Sequence, residues 1–180
     1  ASIEAKLKLE QSGMLLENDP YSLYDTLADS NDLDALFDVL CSVKDKNGKH
    51  AVITADTNVA NPDFEKIKAT DYQQYFYEAF TDTLKRTQAT DKTFQVWKQG
   101  IDAGVFYPQF HGREHVNVRK WLHDLRINHA NVRQWFGFGS YGTSYLVDKA
   151  QKGHYMTAFD SAKPEDIAFY KQSIVEGLDL

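Results

Sequence analysis

Residues Ala51-Val52-Ile53-Thr54-Ala55 form a short, nearly continuous apolar run, entered through Asp45-Lys46-Asn47-Gly48 and closed by Asp56. Asn-Gly tolerates positive φ, so the entry is a turn. The run is too short for an ordinary helix and lacks strict polar alternation, which predicts a buried strand of a parallel sheet. Asp56 then stands at the strand's carboxyl end, where parallel α/β folds gather their chemistry.

Helical spacing surrounds this strand. Before it, Leu33, Leu36, Phe37 and Leu40 recur at helical intervals, with Asn31 or Asp32 available as N-cap. After it, Asn61-Pro62-Asp63-Phe64-Glu65 is turn chemistry, and Tyr75, Phe76, Ala79, Phe80 and Leu84 predict a helix over Asp71 to Lys85. A third helix is expected from Lys92 to Ala103, capped by Gly104. Val105 to Phe110 reads as a second strand ending at His111, and Pro108 argues against a central position for it. Glu114 to Leu125 carries Val118, Trp121, Leu122 and Leu125 on one face, and Arg133 to Phe138 and Glu165 to Glu176 add further helices. The expected fold is α/β, with its site at the carboxyl edge of a parallel sheet or barrel. Residues 1–30 read as an irregular arm and residues 31–180 as one α/β domain.

Charge and cysteine content narrow the partners. The net charge is −6 and the basic residues are scattered, so phosphate backbones and anionic lipid surfaces find no general attraction. No apolar run approaches the roughly 18 residues that span a bilayer. The first residues, Ala1 to Lys6, alternate in charge rather than forming a signal peptide, which favours a cytoplasmic location. Cys41 is the only cysteine, which excludes an intrachain disulfide and any cysteine-based zinc cluster and leaves a buried structural thiol as its expected role.

The densest polar cluster is His111-Gly112-Arg113-Glu114-His115. On a helix its two imidazoles, four residues apart, would share a face and could hold one cation. Zinc in a hydrolytic site also wants a carboxylate and an open water position, and Asp56 is the natural candidate. The structural alternative is one histidine capping a helix and the other on the surface. The order of residues is not that of the His-Glu-x-x-His metalloproteases, because Glu114 directly precedes the second histidine.

Ala51 to Asn58 followed by Pro108 to His115 resembles the first two motifs of the polysaccharide deacetylases, Thr-Phe-Asp-Asp-Gly and His-Ser/Thr-x-x-His. Ala60 to Ile67 and Phe110 to Val118 look like a divergent branch found in bacterial surface-glycan gene clusters. The resemblance covers mainly residues 32–127. It implies a distorted (β/α) barrel and a divalent metal, expected to be zinc, held by His111 and His115. It also implies hydrolysis of N-acetyl or O-acetyl groups on a bacterial glycan, with Asp56 as base. Family barrels need about 200 to 250 residues, and the later motifs have no match before Leu180, so the chain is expected to be the N-terminal part of such a barrel.

This sequence departs from the pattern at Thr57, which stands where the family's metal-binding aspartate is, and at Asn58, which replaces a glycine. Three readings follow: Asp56 serves as ligand with Asp63 or Glu114 as base, the chain has kept the barrel and only binds or scaffolds glycans, or Asn58 gives an oxygen to a harder cation. Arg113 is placed to orient Asp56 or Glu114 through a bidentate pair. The Gly137 to Gly142 stretch, with Trp135, Phe136, Phe138 and Tyr141, fits either an aromatic loop over a sugar or core packing.

Overall fold

The structure is a computed structural model that describes residues 7–8, 10–12, 27–87, 92–142, 155–160 and 163–180. Most of the arm expected over residues 1–30, and His154, lie outside the described residues. The fold is mixed α/β.

Helix α1, Ser30–Ser42, starts with a reciprocal cap. The Asp29 carboxylate accepts from the amides of Asn31 and Asp32 at 2.8 and 2.9 Å, and Asp32 accepts the Asp29 amide at 3.0 Å. Leu33 and Phe37 are buried one turn apart against α4, Thr93–Asp102. Phe37 can approach because α4 carries Gly100 there: a Cβ at Gly100 would lie 2.3 Å from the Phe37 ring. Gly104, at φ 69°, ends the segment in the left-handed region, as its place in the sequence predicts.

Strand β1, Ile53–Thr57, pairs in parallel with β4, Phe106–Phe110, in a register that sets Ala55 against Pro108 and Asp56 against Gln109. Val105, Phe106, Phe37 and Val96 form a small core, with Ala55 and Trp97 packed against it, so α1 and α4 cover one face of this pair. The expectation of a fully buried first strand fails. Val52 is 58 % exposed and Ile53 38 %, because only one face of the two strands is covered by the described residues. Cys41 is exposed rather than buried, since α1 spends its core-facing turn on Leu33 and Phe37.

The helix expected over Asp71 to Lys85 is half correct. Asp71 and Tyr72 take positive φ, 50° and 62°, which breaks any helix there. Tyr77–Ala79 instead forms β3, antiparallel to β2, Ala60–Pro62, and helix α3 covers only Phe80–Thr87. Between them lies the short helix α2, Phe64–Ala69, capped by Asp63.

The larger core is helical. Helix α5, Val118–Arg126, and α6, Ala130–Gly137, form a hairpin whose turn uses Asn128 at φ 59°, a conformation asparagine tolerates. They bury Trp121, Leu125, Val132 and Trp135 with Ile67 and Tyr155. Trp135 and Phe136 are 1 % and 6 % exposed, and Phe138 and Tyr141 pack against the same cluster, so these aromatics are core and not a loop over a sugar. Helix α7, Pro164–Leu178, closes the described chain, with Pro164 at its first turn. Among the described residues the strands make two separate two-stranded sheets.

Candidate functional site

The parallel pair delivers a polar loop at its carboxyl end. Past Thr57 and Phe110 the ladder continues: the His111 amide donates to Thr57 O at 2.9 Å, and the Ala60 amide donates to Arg113 O at 2.7 Å. Asn58 fixes the loop from the side, its amide nitrogen donating to His111 O at 3.1 Å and Gly112 O at 3.4 Å. Its amide nitrogen is therefore spent on backbone carbonyls. Gly112 takes φ 110°, which a side chain would strain, and this lets the chain turn between the histidines. Thr57 donates its hydroxyl to Ala55 O at 2.9 Å within its own strand.

His111 and His115 meet. Their rings stack at 5.5 Å between centroids with 17° between planes. The helical face expected to unite them is absent, because α5 begins only at Val118 and Asn117 is its N-cap. The turn at Gly112 brings them together instead. His111 is exposed, while Nδ1 of His115 is buried without a hydrogen-bond partner.

Behind the histidines lies an ion-paired cluster. Arg113, 3 % exposed, donates Nε and Nη2 to the two Glu114 carboxylate oxygens at 2.5 and 2.9 Å. Its Nη1 donates to Glu176 on α7. The guanidinium sits 4.3 Å from the Tyr77 ring centroid, 5.3 Å from Tyr75 and 5.7 Å from Phe169, a cation wrapped by aromatic rings. Burial pushes the Glu114 carboxyl above the usual carboxylate range, with Arg113 opposing it. Burial, and then the adjacent Glu114 charge, raise the Tyr75 phenol well above its ordinary value. The predicted bidentate pairing of Arg113 is thus made with Glu114.

A cleft of about 390 Å³ opens in front of this cluster. His111, Glu114 and His115 line it together with the apolar side chains of Phe110, Met156, Phe159 and Ile174. The wall formed by residues 155–160 is held by Asn117, whose amide nitrogen donates to Thr157 O and Asp160 O at 3.1 and 2.8 Å. Tyr155 anchors it further by donating its hydroxyl to Asp124 at 2.5 Å.

Asp56 does not line this cleft; it is exposed on the strand opposite Gln109. Asp63 is occupied as the cap of α2. As a cation site the histidine pair supplies two imidazoles, one with a buried, unpartnered ring nitrogen, but among the described residues no third His, Cys, Asp or Glu joins them. No family model, curated protein or solved structure matches the chain. No helix among the described residues is long and apolar enough to cross a membrane.

Glu176, Gly177 and Asn117 escape sequence reasoning. Glu176 lies 63 residues from Arg113, and nothing local marks it as a partner. Asn117 is different: an asparagine preceding an apolar helical face signals an N-cap.

Proposed function

We propose that the chain is a divergent hydrolase of the polysaccharide deacetylase type, removing acyl groups from a bacterial glycan, with β1 and β4 as two strands of its barrel. The observation that carries this reading is the stacked His111–His115 pair at the carboxyl end of two parallel strands, beside a cleft. His111 and His115 are the residues that would hold a divalent cation such as zinc. A cation held there would supply an electrophile for the acyl carbonyl.

The chain's own residues do the rest. The apolar lining of the cleft offers surface for the acyl group to pack against. Glu114, fixed by Arg113 and raised by burial, is the proton acceptor, since each of its oxygens keeps a second lone pair. Glu114 takes the role that the motif resemblance gives to Asp56, which lies outside the cleft lining.

The second reading, a glycan-binding protein without turnover, is favoured by one observation: the missing third ligand among the described residues. Zinc titration by calorimetry with acetate release from acetylated chitooligosaccharides and from O-acetyl esters separates the two. Stoichiometric zinc, lost in His111→Ala and His115→Ala, together with acetate release supports the hydrolase. Sugar binding with neither zinc uptake nor release supports the binding protein.

A further inference from the structure

Resting on the reading of this cleft as an acyl-hydrolysing site, we infer that the acyl group it accepts is an apolar chain longer than acetyl and that the sugar ring stays outside. The lining is mainly apolar, with few polar side chains. Phe110, Phe159 and Ile174 are 38 %, 48 % and 37 % exposed, leaving apolar surface free for a ligand, and Met156 joins them. Methionine adapts its shape to irregular apolar partners.

The polar side chains of the lining offer little to a sugar. A polyhydroxylated ring is fixed by several convergent hydrogen-bonding groups. Among the described lining residues the polar side chains are His111, His115 and Glu114, and the Glu114 carboxylate, held through both oxygens by Arg113, has no hydrogen to donate to a sugar. Arg113 itself is buried and paired with Glu114 and Glu176. A volume of about 390 Å³ is at the scale of pockets that enclose organic ligands, and far more than a methyl group needs.

The arrangement suits a carbonyl at the imidazoles with its hydrocarbon chain along Phe110, Met156 and Ile174. In the reaction the bond between the acyl carbon and the sugar oxygen or nitrogen breaks. Water gives its hydroxyl to the acyl carbon and its proton to the leaving sugar.

Calorimetry on the full chain with acetate, butanoate, octanoate and methyl N-acetylglucosaminide tests this. Affinity rises up to about fourfold per added methylene until the cleft is filled. Ile174→Asp weakens octanoate at least fivefold with an unchanged thermal melt. Should that variant melt early, Phe159→Ser, at a more exposed position, replaces it. Equal affinity from acetate to octanoate, or tighter binding of the glucosaminide than of octanoate, overturns the inference. Turnover of p-nitrophenyl acetate and octanoate keeps the two ideas apart. Chain-length-dependent binding without turnover of either ester sinks the hydrolase and leaves the acyl cleft standing. Equal kcat/KM for both esters sinks the acyl-chain preference and leaves the hydrolase.

Discussion

Gly177 of α7 stands directly against Phe110 at the end of β4: a Cβ added at Gly177 would lie 2.9 Å from two atoms of the Phe110 ring and 3.0 Å from the Cβ of Arg113. Because Phe110 also lines the cleft, the helix and the site share a wall. Gly177→Ala forces the Phe110 ring or α7 to shift, and crowds the Cβ of Arg113. The expected loss is about 1–3 kcal/mol in urea unfolding. Gly137→Ala is the control, since no atom lies within 4 Å of its added Cβ, and it gains about 0.5–1 kcal/mol from helix propensity. Equal effects from the two substitutions would contradict the packing described for Gly177.

Arg113→Met leaves the buried Glu114 without its cation. Removing one partner of a buried pair costs about 3 kcal/mol or more near neutral pH. Lysine does not rescue it, because it lacks the planar fork that spans both Glu114 oxygens and stacks on Tyr77. The sign of the pH dependence follows from burial, which already holds the Glu114 carboxyl above its ordinary 4.5. Without Arg113 to oppose it, the group moves higher still. The penalty is full above that raised value, shrinks as pH falls from it to 4.5, and is gone below 4.5, where Glu114 is protonated in both states. Denaturant melts of Arg113→Met across this range check the direction.

Asn117→Ala removes the α5 cap and both bonds to the segment that carries Met156 and Phe159. A cap costs about 1 kcal/mol and each lost hydrogen bond a similar amount, so about 2–3 kcal/mol is expected. Hydrogen exchange at residues 155–160 should accelerate well beyond the global change. Uniform acceleration would show that Asn117 is no anchor for that wall.

Asp63 caps the amide of Lys66 at 3.0 Å and pairs with its ammonium at 2.9 Å. Burial works to raise the Asp63 carboxyl, and the Lys66 contacts outweigh it, so the group sits below its ordinary 3.8. A lowered folded value means that its stabilisation is full above 3.8 and lost as pH falls through the folded value. Asp63→Ala should therefore cost about 1 kcal/mol near neutral pH, and the difference from the unsubstituted chain should close well below pH 3.8. A gap that persists in strong acid would mean the cap acts through something other than charge.

Local chemistry made much of this legible from the sequence alone. The periodic Leu33 and Phe37, the apolar run into β1, Gly104 after α4 and the polar cluster after β4 each act within a few residues, so each is written in its own neighbourhood. What the sequence could not state is who comes to meet these elements. Tyr77 to Ala79 has helical spacing, yet it pairs with Ala60 to Pro62, because left-handed Asp71 and Tyr72 turn the chain and a strand partner is waiting. His111 and His115 meet through the Gly112 turn and the Asn58 contacts rather than through a helix. Arg113 finds Glu176 far along the chain, and Asp56 is left facing solvent instead of the histidines. Propensity acts over one or two turns of chain, whereas burial of charge and aromatic packing are settled only when distant segments compete for the same space, and tertiary structure alone decides that competition.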